Sequence, residues 1–312
     1  MGDKGKNIQK TIIKLNEKKE FLFQNLKLPD YKRISLRNSC DRFGFSHLIA
    51  GFFGYSYVPR CFCIWDHGWW FYNGLENHYI GYDRKKIIVV ASQRDKIELE
   101  RMKFENVVTA GLPFSYVPPQ RITPIENSLL VFIQHSTESY SHHDTSFDGY
   151  LDYLKSIDND YDYICISLFY NDYFSEKKDK VIQNGFIPIS GARADDKYSL
   201  IRIRRLLECF QTVTSNTMGS HIAYALHVGC RVSLTGDVQH KPFFSNIQDL
   251  EDRYSWLIKS HPNNGINDSK IGSEFIGSMN KLSWKEIKHI FGWSIKDQLK
   301  GYQEGLINRI NR

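Results

Sequence analysis

The chain has 312 residues, of which 41% are apolar and 24% charged, with a net charge of +6. That is room for two domains of ordinary size or one large α/β domain, with the composition of a soluble globular protein. No apolar run is long enough to span a bilayer, and the mild positive excess suits an anionic ligand, an anionic membrane surface or simply a solvated basic face.

In chain order, the start MGDKGKNIQK has no apolar core behind it, so no signal peptide is expected; it also lacks the Ser or Thr of a myristoylation signal. From Asn7 to about Leu26 an apolar stripe of Ile8, Ile12, Leu15, Leu22 and Leu26 runs between lysines and predicts a helix. SHLIAGFFGY predicts a short helix. RCFCIWDHGWW reads as a strand entering an aromatic loop, and KKIIVVAS as a buried strand. RDKIELERMKF is helical and NVVTAGLPF the next strand. SYVPPQRITPIENS follows; its prolines forbid helix, which makes it the expected interdomain linker.

Beyond it the pattern is more regular. SLLVFIQHS, YDYICISLF, FIPIS, TVTSN and CRVSLTG read as strands. FDGYLDYLKSI, FSEKKDKVIQNG, YSLIRIRRLLECF and MGSHIAYALHVG read as the helices between them. That alternation predicts βαβ units and a parallel sheet. Three further helices, IQDLEDRYSWLIK, SWKEIKHIFGW and SIKDQLKGYQEGLINRI, close the chain. The expected architecture is α/β with two Rossmann-like domains and a cleft between them. The boundaries are 1–122, 123–290 and a final helix 291–312, with the C-terminal helices packing back on the first domain. The six cysteines sit mostly in apolar runs with no CxxC pair, so buried free thiols are expected.

In open parallel sheets, ligands bind where strand carboxyl ends lead into helices. Four loops qualify. After SLLVFI, His135, Ser136 and Thr137 form a turn of hydroxyls and donors that suits a phosphate, or a capped polar loop. The nearby His142, His143 and Asp144 lack the spacing of a zinc site. After FIPI, Gly191 permits close approach and Arg193 offers a two-pronged fork for a phosphate or carboxylate. Asp195 and Asp196 suit a helix cap. Ser215, Asn216, Thr217 and Ser220 are expected to bracket a helix N-terminus whose N–H groups and dipole attract an anion, with Gly219 opening the first turn. The alternative is a plain cap, which needs one such residue rather than four. In WDHGWWFYNG, His67 could take a hydroxyl proton with Asp66 orienting it, and Trp69 and Trp70 could stack on a sugar. The same residues would also make an aromatic core around a buried histidine.

Other segments carry less. There is no GxxxxGK[ST] and no GxGxxG. IDNDYD falls between a helix and a strand, at the end of the sheet away from ligands. RIRR, residues 202–205, reads as the charged outer face of a helix rather than a nucleic-acid reader.

Taken in order, WDHGWW, IIVVASQRDKIELERMKFENVVTAGLPFSYV, LLVFIQHSTES, FIPISGARADD and TSNTMGSHIAYALHVGCRV resemble a GT-B-type nucleotide-sugar glycosyltransferase of bacterial surface-polysaccharide (capsule or lipopolysaccharide) clusters. The hydroxyl-rich cluster is also similar to the Ser/Thr motif of sialyl- and Kdo-type transferases that use CMP-sugars. The HP motif of that group precedes its Ser/Thr motif, whereas His261-Pro262 follows it here. The resemblance implies a metal-independent, inverting transferase at the cytoplasmic face of a membrane, without a resident cofactor. Its donor would be a CMP-, UDP-, GDP- or dTDP-linked sugar held by His135–Thr137, Gly191, Arg193 and Ser215–Ser220. Its acceptor would be a glycan or lipid-linked hydroxyl facing His67, Asp66, Trp69 and Trp70; no nucleic acid is involved. A sugar-nucleotide epimerase and a non-catalytic nucleotide-sugar-binding subunit remain as alternatives.

Overall fold

The computed structural model describes residues 17–72, 75–133, 144–240, 243–299 and 303. The chain is α/β, with two wholly parallel sheets in two compact units. The units are not contiguous in sequence. One comprises described residues within 30–118, 194–200 and 273–312. The other comprises those within 1–29, 119–193 and 201–272. The expected linear division differs from this composition at residues 17–29, 119–122, 194–200 and 273–290.

In the first of these, β1 (Ile64–Trp65), β2 (Ile87–Val90) and β3 (Asn106–Thr109) pair in parallel in that order. Ile88, Val89 and Val90 are fully buried, as an uninterrupted IIVV run requires of a strand covered on both faces. The helix Gln93–Arg101 follows β2, capped by Ser92, whose side chain accepts from the Asp95 N–H. The helix Trp284–Ile290 starts in a reciprocal capping box between Ser283 and Glu286. This helix belongs to the same unit.

The other unit holds β4 (Ile125–Phe132), β5 (Tyr163–Leu168), β6 (Ile187–Ser190), β7 (Phe210–Thr217) and β8 (Arg231–Gln239). Their order across the sheet is β6-β5-β4-β7-β8. From β4 the chain winds outward through β5 and β6, then returns past β4 to β7 and β8, which is a doubly wound sheet. One face is filled by Phe147, Tyr150, Leu151 and Leu154 of the helix Asp144–Ser156 against Leu129, Val131, Ile164 and Ile166.

Arg202, Arg204 and Arg205 do not form a solvated outer face. Arg205 Nε donates to the Leu26 carbonyl (2.7 Å), and Arg202 Nη2 to the Pro29 carbonyl (2.5 Å). Arg204, 7% exposed, pairs with Glu208 at 2.6 Å, and the other Glu208 oxygen accepts from the Gln120 N–H. The Arg205 and Arg202 guanidinium groups thus bond the carbonyls of Leu26, at the end of a helix, and of Pro29, just beyond it. They thereby fasten residues 26–29 and the start of the Pro-rich connection to the five-stranded unit.

All six cysteines are buried and free, with Cys40 and Cys63 Sγ atoms 3.5 Å apart. Among the described residues no helix is long and apolar enough to cross a membrane.

Candidate functional site

The winding direction reverses between β4 and β7, and the carboxyl ends of such neighbouring strands frame a ligand crevice. Phe132, the last residue of β4, pairs directly with Ser215 of β7. Ser215, Asn216 and Thr217 are strand residues, 0%, 2% and 5% exposed, and do not bracket the helix. Ser215 pairs on both sides, with Phe132 of β4 and Leu234 of β8, and Thr217 pairs with Gln239 of β8. Ser215 Oγ accepts from the Thr217 N–H (3.1 Å), which shapes the strand exit. Thr214 Oγ1 lies 2.8 Å from Thr235 Oγ1 and 3.1 Å from Ser233 Oγ. Much of the hydroxyl content of this stretch therefore serves the sheet.

The helix Ser220–Val228 starts one step later, with Gly219 as its N-cap in an extended conformation and no side-chain cap. The Ile222 N–H donates to the Gly219 carbonyl (3.0 Å), and the positive end of the helix dipole at this start favours an anion. A Cβ on Gly219 would stand 2.8 Å from the His221 ring, which folds back over the helix start. The same ring stacks on Phe132, with centroids 4.7 Å apart and planes at 20°. This places the His221 ring at the reversal point. In the sequence a histidine inside a helical stripe is indistinguishable from a packing residue. His135, Ser136 and Thr137, together with His142 and His143, lie outside the described residues.

Gly191 follows β6, and its N–H donates to the Leu168 carbonyl (2.8 Å). A Cβ there would meet Ser167 Oγ at 2.8 Å, so its smallness serves the close approach of this loop to β5. The Arg193 guanidinium lies over the Tyr170 ring, 3.9 Å from its centroid, which holds the fork at the carboxyl edge. β6 stands three strands from β7, roughly 14 Å at ordinary strand spacing. Arg193 and Ser220 therefore suit different parts of an extended anion rather than one phosphate.

In the three-stranded unit, the segment 276–280 closes the carboxyl ends of β2 and β3. The Leu112 N–H donates to the Ile276 carbonyl (2.8 Å) and Asn280 Nδ2 to the Ala91 carbonyl (3.0 Å). Gly111 and Gly277, with φ of +77° and +64°, pack against each other there. Asp66 and His67 stand at the end of β1. Asp66, 3% exposed, accepts from Tyr79 Oη (2.5 Å) and Trp70 Nε1 (2.8 Å), one bond to each carboxyl oxygen. Burial outweighs these bonds and pushes Asp66 up to about 7. His67 is pushed down to about 4, first by burial, then by the positive Arg42 and by His78. Its ring contacts that of Phe43, with centroids 5.3 Å apart. Trp70 and Tyr79 thus each hold one oxygen of the Asp66 carboxyl. Trp69 stacks on Phe275, centroids 4.2 Å apart and planes at 19°, and is 9% exposed. Trp70 packs against the cluster of Leu75, Ile88 and Phe104. Both indoles are thus built into the unit's core.

His261-Pro262 lies at the opposite end of the five-stranded sheet. His261 Nε2 pairs with Asp160 (3.2 Å), just before β5, and its ring stacks on Tyr161. A cavity of about 540 Å³ opens at that amino end, lined by Asn127, Tyr161, Gln211, Arg231 and their neighbours. Among the described residues no group of three or more His, Cys, Asp or Glu gathers as a metal site.

No family model matches the chain, and no curated protein matches it. Solved structures similar to parts of it include TarM of S. aureus, at 14% identity and a TM-score of 0.30 over 70% of this chain and 43% of that one. A mutant of S. aureus TarM in complex with fondaparinux, alpha-GlcNAc-glycerol and UDP matches at 13% identity and 0.30, with the same coverage. Os79 from O. sativa, in complex with a trichothecene, matches at 10% identity and 0.35, over 73% of this chain and 50% of that one. The chain spans half or less of the length of these structures.

Proposed function

We propose that the protein is a metal-independent glycosyltransferase that moves a sugar from a nucleotide-sugar donor to an acceptor hydroxyl on a glycan or lipid-linked carrier. The observation that carries the reading is the helix Ser220–Val228, which opens at the reversal point of a doubly wound sheet with Gly219 as its cap and His221 over its first turn. The ordered resemblance of the loops to GT-B enzymes supports the same conclusion, as does the net charge of +6.

In this reading the donor phosphate rests on the first-turn N–H groups at Gly219–His221, and Arg193 holds a second anionic or planar part of the nucleotide. The acceptor oxygen attacks the anomeric carbon, and the bond from that carbon to the phosphate oxygen breaks, leaving its electron pair on the phosphate. Fixed N–H donors stabilise that charge without reorganising. The hydroxyl proton passes to His67, which is neutral at physiological pH because burial and Arg42 hold its imidazolium form down. A single attack inverts the anomeric centre.

The engagement of Asp66 by Trp70 and Tyr79 favours one second reading, a nucleotide-sugar-binding subunit without chemistry. Purified protein with CMP-, UDP-, GDP- and dTDP-sugars and a panel of glycan acceptors separates the two. The transferase reading expects acceptor-dependent release of free nucleotide, abolished by His67→Ala with donor binding retained. Binding without release, indifferent to His67→Ala, supports the subunit. A new sugar nucleotide formed without acceptor points to an epimerase.

A further inference from the structure

Net charge alone does not say where an anionic partner would sit, but one face of the three-stranded unit does. The helix Phe45–Phe52 runs into an aromatic loop, residues 53–60. Phe52 and Tyr57 are 45% and 70% exposed. Phe52 stacks with Trp284, itself 43% exposed, at 4.6 Å between centroids. Phe53, Tyr55 and Tyr57 stack in succession, at 5.5 and 6.4 Å. The short helix over 295–299 borders this loop, because Gln298 Nε2 donates to the Arg60 carbonyl (2.9 Å). It presents Ile295 and Leu299, four residues apart on one side and 82% and 61% exposed. Apolar surface left bare in this way on a monomer marks an interaction site.

The charge around these side chains narrows the partner. Residues 51–60 and 279–299 contain five basic residues, Arg60, Lys281, Lys285, Lys288 and Lys296, against two acidic ones, Glu286 and Asp297. That excess of three is half of the chain's net +6. Both acids are engaged locally: Glu286 in the capping box with Ser283, and Asp297 with Ser294 Oγ (2.5 Å). Lys288 Nζ lies over the Phe53 and Tyr55 rings, 5.7 Å from each centroid, so cation and aromatic surface are interleaved. A protein interface core is depleted in lysine. Tyr and Trp beside Lys and Arg instead match the headgroup layer of a bilayer, where amphipathic rings settle and anionic lipid attracts basic side chains.

We propose that this face docks on an anionic lipid surface, with Tyr57, Trp284, Ile295 and Leu299 entering the headgroup layer and Arg60, Lys285, Lys288 and Lys296 meeting lipid phosphates. The inference goes beyond the transferase reading and does not depend on it, because its readout needs neither donor nor turnover.

The test is co-sedimentation of the full chain with phosphatidylcholine vesicles, with and without phosphatidylglycerol, at low and high salt. The expected result is binding to the anionic vesicles alone, weakened by salt. Lys285→Glu/Lys288→Glu and Tyr57→Ser/Ile295→Ser should each lower it roughly tenfold or more. Unchanged melting temperatures would show that the variants fold. Absence of binding to anionic vesicles, or binding that both variants retain, overturns the proposal. So does concentration-dependent self-association that Tyr57→Ser/Ile295→Ser abolishes, which would assign the face to a second copy.

Discussion

Asp66 and His67 are consecutive at the end of β1, yet burial drives their protonation in opposite senses, Asp66 up to about 7 and His67 down to about 4. For Asp66 the folded value lies above the unfolded one, so its contribution to stability is complete below about pH 4 and is lost as pH rises through 7. For His67 the folded value lies below the unfolded one, so its contribution is complete above about pH 6.5 and is lost as pH falls through 4. Between about pH 4 and 6.5 the two slopes oppose and largely cancel.

Removing either partner should expose the other. Relative to the parent chain, Asp66→Asn should gain stability as pH rises from about 4 to 6.5, with a slope of up to about 1.4 kcal/mol per pH unit. His67→Gln should lose stability over the same interval. Urea unfolding at a series of pH values reads both, and parallel pH dependence in all three proteins would refute the opposed burial of the two groups.

The Arg193 guanidinium lies over the Tyr170 ring at the carboxyl edge of the sheet. Arg193→Ala should lower nucleotide-sugar affinity roughly 10- to 100-fold, the loss of a charge-assisted contact. Arg193→Lys keeps the charge but not the planar fork and should fall between them. Calorimetric titration checks this; equal affinity in all three proteins would remove Arg193 from the donor site.

Arg204 and Glu208 form a pair that is 9% and 11% exposed on the helix Ser199–Cys209. Arg204→Ala leaves the Glu208 carboxylate without its cation and should lower stability by about 3 kcal/mol, whereas Arg204→Met/Glu208→Leu should lose much less. Urea midpoints of the two variants decide it.

The sheets were legible because their strands are short apolar runs, IIVV, LLVF and YICIS among them, each followed by a helical stripe. The order β6-β5-β4-β7-β8 was not, since no local pattern encodes which strand a buried strand will pair with. Ser215–Thr217 read as a cap because Ser, Thr and Asn favour helix starts; pairing with Phe132 on one side and Leu234 on the other overrides that preference. The Arg202–Arg205 clamp escaped because its acceptors, the carbonyls of Leu26 and Pro29, lie more than 170 residues away in sequence. The candidates Arg193, Gly219 and Ser220 follow from the rule that ligands gather at strand carboxyl ends. The partners of Asp66 do not, because Trp70 and Tyr79 reach it through the packing of the aromatic core.

One substitution separates the proposed role of the start of the helix Ser220–Val228, holding the donor phosphate, from its role in the fold. An acid in the first turn of a helix is favourable to the helix itself, by about 0.3–1 kcal/mol, yet it repels a phosphate. Titration of CMP-, UDP-, GDP- and dTDP-linked sugars into the parent chain and Ser220→Asp should show one nucleotide class binding the parent. Ser220→Asp should keep or raise the melting temperature and lose that binding by roughly 30-fold or more, the sum of a lost contact and a new repulsion. Binding of none of the four, or equal binding by Ser220→Asp, would contradict the account.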